Sequence, residues 1–428
     1  MARPFRLLPG IVLLGLLMSP SLPAQENKLV EVRSADVLNV RSIGDQEVRE
    51  LIGNVHLIQT TPLEVVKIWC DSALRYMAMN KLELYGRVRI VRDSVTLAAP
   101  EGVYFGNEQR AEMRRGVHLQ KGSMVLTARF GEYFTAEKRA RFVEDVRVID
   151  SSSTTYANTL LFFEKEEKSI ATGNVRVVNR VDNLTVSGDS LVNFDRQNYT
   201  IISVNPKMVQ VDSASDGLVD TLVVVSDIME SFRGSAQQFV ARGNVAIART
   251  DFAARCGEAI YDMGRDRMIL RDRPVVWYER NQVSGDSIVV TLLEKRLQSV
   301  YVKGRAIAVS MADSTSALRF DQLTGREITM LFDGNKLARI EADRNATSLY
   351  YVFEENAPNG ANRSSGDRIV IEFDEGKADR IRILGGVEGR YLPEPMIEGR
   401  EMLHNLDGFR WLTNRPKRQG LEIVSVEH

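Results

Sequence analysis

Cysteine, histidine, tryptophan and net charge are all scarce in this chain. Two cysteines among 428 residues exclude a disulfide-stapled scaffold. Four histidines (His56, His118, His404 and His428) leave little for a metal centre, and no His, Cys or carboxylate spacing forms a compact ligand pattern. Basic and acidic residues nearly cancel, 56 against 57, so the excess of positive charge that marks nucleic-acid binders is missing. With 44% hydrophobic residues the chain carries enough apolar surface to fold, which separates it from disordered sequences of high net charge. No nucleotide-binding glycine loop occurs, and no cofactor is expected. Beyond the N-terminus no run reaches the roughly 20 apolar residues that a membrane helix needs.

The N-terminus reads as an export signal. Arg3 and Arg6 precede the apolar run from Ile11 to Met18, and Ser19-Pro20-Ser21-Leu22-Pro23-Ala24 supplies small residues near a cleavage point. Cleavage after Ala24 would leave 428 − 24 = 404 residues, exported to the periplasm. Leu22 is a poor residue three places before the cut, so an uncleaved anchor is the alternative.

What the chain has in abundance is a repeated phrase: a glycine or turn residue, one polar residue, then an alternating apolar pair. It reads Gly53-Asn54-Val55-His56-Leu57, Gly86-Arg87-Val88-Arg89-Ile90, Gly116-Val117-His118-Leu119, Asp145-Val146-Arg147-Val148 and Gly173-Asn174-Val175-Arg176-Val177. The valines are 33, 29, 29 and 29 residues apart. Further copies follow at Asn205-Pro206-Lys207-Met208, Gly243-Asn244-Val245-Ala246-Ile247, Arg273-Pro274-Val275-Val276-Trp277, Gly304-Arg305-Ala306-Ile307, Asn345-Ala346 and Gly386-Val387. A second phrase, such as Asp71-Ser72-Ala73-Leu74 or Gly188-Asp189-Ser190-Leu191, falls about half a repeat later. Both phrases alternate at period two, as half-buried strands do. Asp333-Gly334-Asn335 and Gly106-Asn107 supply hairpin turns between them. Length therefore does not imply two or three globular domains but an array of ten or eleven hairpin units of about 30 residues.

The spacing predicts an all-β fold, an elongated antiparallel β-jellyroll stack filling residues 25–390. A division into two tandem halves, 28–200 and 201–390, is one way to read it. A right-handed parallel β-helix also fits a strand repeat, but the hairpin turns favour the antiparallel form. Residues 391–428 form a tail with one short helix between Met396 and Leu406. A stack leaves an edge strand at each end, and exposed edges template pairing with another chain.

The recurring acids Asp71, Glu101, Glu132, Asp189, Glu258, Asp286 and Asp367 occupy equivalent places in successive repeats and so form a row. A poised catalytic pair needs two carboxylates in different environments. Turn and edge roles account for them, and no enzyme is expected. Cys70 and Cys256 hold the same place in distant repeats, too far apart for the roughly 7 Å that a disulfide allows.

The residues expected to face inward are Val55, Leu57, Val88, Ile90, Val117, Leu119, Val146, Val148, Val175, Val177, Val245, Ile247, Val275 and Trp277, with His56, His118, Arg147 and Arg176 facing outward. The inner face is either a dry core between two sheets or an apolar groove for acyl chains, and the pattern alone leaves both open.

The Gly-Asn-Val-x-Val hairpins, together with Ser34-Ala35-Asp36 and Leu51-Ile52-Gly53-Asn54-Val55, resemble the OstA family over residues 28 to about 390. That family comprises the periplasmic bridge proteins of lipopolysaccharide transport and the N-terminal domain of their outer-membrane partner. The ending Leu406-Asp407-Gly408-Phe409-Arg410-Trp411 is similar to that of large OstA-like proteins of the Bacteroidetes type. The resemblance implies a jellyroll whose inner residues line a groove for lipid A acyl chains and which joins related jellyrolls edge to edge. It further implies lipopolysaccharide, other jellyroll components and an outer-membrane barrel as partners. The chain has more repeats than the short bridge proteins and lacks the large barrel of the outer-membrane partner. A polysaccharide-processing β-helical enzyme and a purely structural or adhesive rod are the competing readings.

Overall fold

Gly53 and Asn54 both adopt left-handed backbone angles, with φ of 75° and 45°. This two-residue corner recurs in the computed structural model, which describes residues 30–422 except 45, 61–64, 214–218, 235–236, 294–295, 313–317, 335, 356 and 375–376. The export-signal residues lie outside the described residues. Consecutive left-handed pairs stand at 53–54, 86–87, 115–116, 144–145, 173–174, 204–205, 243–244, 272–273, 304–305, 344–345 and 385–386, which makes eleven. Only glycine, and next to it asparagine, takes these angles at little cost, which is why Gly-Asn is the commonest spelling of the repeat.

At the corner two residues oppose one on the next strand. Ile52 pairs with Ser72 and Val55 with Cys70, so Gly53 and Asn54 face Asp71 alone. The same bulge interrupts Thr172/Val175, Arg242/Val245 and Lys303/Ala306. A bulge bends its strand. Each long strand, such as Gln46–Thr60 or Lys168–Asn179, is thus divided into two arms, and stacking the arms produces two facing sheets hinged along the row of corners. Among the described residues thirty strands form one continuous antiparallel ladder. The fold is an all-β, elongated stack of jellyroll type. The ladder continues through residue 200, because the strand Tyr199–Ser203 pairs on both sides.

The corners lock to one another. Asp227 N–H donates to the carbonyls of Arg242 and Gly243 at 3.1 and 3.0 Å, while its carboxylate accepts from Asn244 Nδ2 at 2.9 Å. Asp36 repeats this with Asn54, and Asp71 and Asp286 take Arg87 and Arg305 instead. Glu101 pairs with Arg115, Glu132 with Arg110 and Arg141, and Glu258 with Arg242 and Arg271. Asp189 and Asp367 donate their N–H groups to Val204 and Gly385 carbonyls. The row of acids belongs to the scaffold.

Along the floor of the V, valines alternate with small residues: Val55 with Cys70, Val88 with Ala99, Val146 with Ala157, Val175 with Gly188 and Val245 with Cys256. Alternation of large and small side chains lets the two arms approach closely. It also gives both cysteines their role. Each fills a small-residue slot, both are free thiols, and burial pushes each up to about 12. We expect neither to react with Ellman's reagent at pH 8 in the folded protein, and both to react in denaturant. Fast native labelling would contradict the packing.

The tail departs from the single expected helix. Glu394–Ile397 and Glu401–His404 each make one turn, and Gly399, left-handed at φ 73°, separates them. The strand Glu388–Pro393 also carries the sheet past residue 390. From there the chain doubles back along the outer face of the second sheet. Gln322 Oε1 accepts the N–H of Leu406 and Gln282 Oε1 that of Leu412, both at 2.8 Å, while Gln282 Nε2 donates to Arg410 O at 2.7 Å. Phe409 and Trp411 pack on Ile307, Val309 and Phe320. Buried Arg319 holds Glu394 and Glu401, and the turn Arg418–Glu422 reaches the strand Val219–Val225.

Candidate functional site

The two inner rows beside the floor of the V are apolar except at Thr155. In the first sheet, cross-strand neighbours run Leu51, Ala73, Leu84, Gly102, Met113, Gly131, Phe142, Leu160, Ala171, Leu191 and Ile202. The same row proceeds through Met229, Ala241, Ala259, Leu270, Ile288, Val302, Ile328 and Ala342 to Ile369. The second sheet answers with Leu57, Ile68, Ile90, Leu97, Leu119, Leu126, Val148, Thr155, Val177, Val186 and Met208. These rows form one hydrophobic cluster, so the two arms face each other.

Val55, Leu57, Val88, Val117, Val146, Val175, Val245 and Ile247 are buried in that cluster at 1–3% exposure. Ile90, Leu119, Val148 and Val177 lie nearer the rim, half-buried against it. Val275 and Trp277 must be corrected. The corner of their repeat is Asp272-Arg273, so Pro274 takes the valine slot and the inward residues are Val276 and Tyr278. Val275 and Trp277 face outward and are buried beneath the tail, with Trp277 Nε1 donating to Leu412 O at 3.3 Å. The parallel phrase Asn205-Pro206-Lys207-Met208 contained the signal, a proline directly after the corner.

Access changes along the rod. The rim-side inner row is half-buried at Tyr104, Tyr133 and Phe162, turns polar at Ser169, Asn193, Thr200 and Ser231, and is fully buried at Phe239, Tyr261, Met268, Val290, Val300 and Met330. In the second half Tyr278 meets Phe332 edge-on at 4.8 Å across the mouth, and Phe252 is 0% exposed. The first half is bridged by polar clasps instead. Arg92, on the rim of the second sheet, donates to Tyr133 Oη on the first and pairs with Glu164 at 3.0 Å. Burial alone would raise the Glu164 carboxyl, but the Arg92 bond and charge outweigh it and hold it below its ordinary value. Arg75 reaches across to Val30 O at 3.1 Å beside a pocket of about 20 Å³ lined by Leu51, Leu57, Leu82 and Tyr104. That is room for one water-sized body. Apolar contacts close the mouth of the second half, whereas over the first half these polar contacts bridge the two arms above the buried rows.

A family model described as OstA-like protein matches residues 27–189, and one described as LptA/(LptD N-terminal domain) LPS transport protein matches residues 157–296. These matches support an OstA-like lipopolysaccharide-transport family for residues 27–296. No curated protein matches the chain. The two matches overlap on this OstA-like chain at residues 157–189 and together end at residue 296, so the half with polar clasps lies inside them and the tail outside. Among the described residues no group of three His, Cys, Asp or Glu side chains could hold a metal ion, and no helix is long and apolar enough to cross a membrane.

Proposed function

We propose that this OstA-like protein is a periplasmic bridge that carries lipopolysaccharide, with the lipid A acyl chains between the arms of the V and the sugars outside its mouth. The observation that carries the reading is the apolar double row whose rim residues Ile90, Leu119, Val148 and Val177 stay half-buried beneath polar clasps. Shielding an acyl chain removes a penalty of about 0.8 kcal/mol per CH₂, so a lipid with several chains gains most from a continuous strip. Conveyance is passive in this account and is directed toward the outer membrane by whatever loads one end and unloads the other. The edges Val30–Ser34 with Val37–Ile43 and Lys377–Leu384 with Glu388–Pro393 would join other jellyroll components and, at one end, an outer-membrane barrel.

The alternative, a rod with a dry core, rests on the fully buried second half. Delipidated protein mixed with a fluorescent acyl probe separates the two. Uptake should be saturable and competed by lipopolysaccharide, whereas a dry core would leave the probe in water.

A further inference from the structure

The residue after each floor valine points outward on the second sheet, and over the first half of the rod it is basic. His56, Arg89, His118, Arg147 and Arg176 occupy this position, the last four at steps of 29 residues. Cross-strand pairing places them in one file, from His56 through Trp69 to Arg89, through Ala98 to His118, through Thr127 to Arg147 and through Tyr156 to Arg176. Successive members from Arg89 onward are two strands apart, about 10 Å at ordinary strand spacing.

Three further facts set this file apart. First, Arg89, Arg147 and Arg176 are exposed, and among the described residues none has an acidic partner. Acids on the outer face of the first sheet are neutralised instead, as in Glu112 with Arg110 and Arg114, and Glu230 with Arg242. Second, each arginine stacks on an aromatic ring, Arg89 on Trp69 at 5.6 Å, and Arg147 and Arg176 on Tyr156 at 5.8 and 4.6 Å. Stacking fixes the guanidinium plane while leaving its N–H fork free for an oxyanion. Third, the exposed part of the file ends where the tail begins: the next member, Lys207, reached from Arg176 through Ser187, is buried. At Ala246, Val275 and Ile307 the same position is apolar, and the returning tail covers that stretch.

A single file of unpaired cations at regular spacing complements a linear polyanion. A flat anionic membrane fits less well, because ordinary sheet twist of about 20° per strand turns the file away from any plane within a few strands. We propose that this face binds a flexible acidic glycan carrying about one carboxylate or phosphate per disaccharide, independently of what the V holds.

The test uses the full chain and fluorescein-labelled hyaluronan oligosaccharides of increasing length, read by fluorescence anisotropy at low salt. Affinity should rise when the oligosaccharide can span Arg147 to Arg176 and again when it reaches Arg89. Three exposed charge contacts of ordinary strength combine to about tenfold, so the R89Q/R147Q/R176Q variant should bind about tenfold more weakly. R129Q/R265Q/R273Q, with the same charge loss elsewhere, should change affinity less than about twofold, and the single change R147Q should have an intermediate effect. Equal losses in the two triple variants would overturn the proposal. So would absence of hyaluronan binding, or file-dependent binding to phosphatidylglycerol vesicles in its place.

Discussion

Val177→Asp is expected to lower acyl-probe affinity at least about tenfold, since a carboxylate set against an acyl chain must stay unsolvated or be protonated. The position is chosen for its geometry. Val177 lies on the inner row between Thr155 and Val186, two residues toward the rim from the floor residue Val175, and is half-buried rather than enclosed. An acid there can reach water when the mouth is unoccupied, so folding should lose only about 1 kcal/mol. Val175→Asp, at 1% exposure, would not separate binding from folding. The adjacent outward change Arg176→Asp should leave probe affinity unaltered. Equal effects at 176 and 177 would mean that the probe binds outside the V.

The second large effect concerns the hinge. Gly243→Ala places a methyl group at φ 74° and 2.2 Å from Asp227 Oδ2, the carboxylate that accepts from Asn244. Left-handed strain costs about 1–2 kcal/mol, and displacing Asp227 should bring the total to about 2–4 kcal/mol. Because an array of this kind opens locally, the readout is amide hydrogen exchange in Ile228–Arg233 and Gln237–Ala248. Asp227→Ala alone should also weaken protection. The double variant Asp227→Ala/Gly243→Ala should lose less than the sum of the singles by about 1 kcal/mol or more, since the clash is then absent. Strict additivity would show that the acid and the corner are not coupled.

These two sites differ in how readable they were. The corner was legible because its backbone demand falls on very few residue types: Gly-Asn at 53, 173 and 243 states the φ requirement outright, and the 29-residue step follows. Period-two alternation then placed Val55 through Val177 on one face. It failed at Val275 and Trp277, where Asp272-Arg273 forms the corner without glycine and Pro274 shifts the frame by one residue. The clasps were not legible, since Arg92 meets Tyr133 and Glu164 from 41 and 72 residues away through single contacts that leave no period. The tail was hidden for the same reason. Its backbone is held by two lone glutamines, Gln282 and Gln322, whose amides substitute for a neighbouring strand, and by single contacts such as Arg319 with Glu394 and Glu401. The expected helix from Met396 to Leu406 ignored Gly399, which ends the first turn.

In the proposed bridge the interior of the V, rather than its outer face, carries the lipid. A photoreactive side chain placed in turn at Val148, Val177, Arg147 and Arg176, followed by irradiation of living cells and detection of lipopolysaccharide on the purified protein, tests this most directly. Adducts are expected at Val148 and Val177 and none at Arg147 or Arg176. Adducts at the arginine positions with none at the valines would contradict this placement.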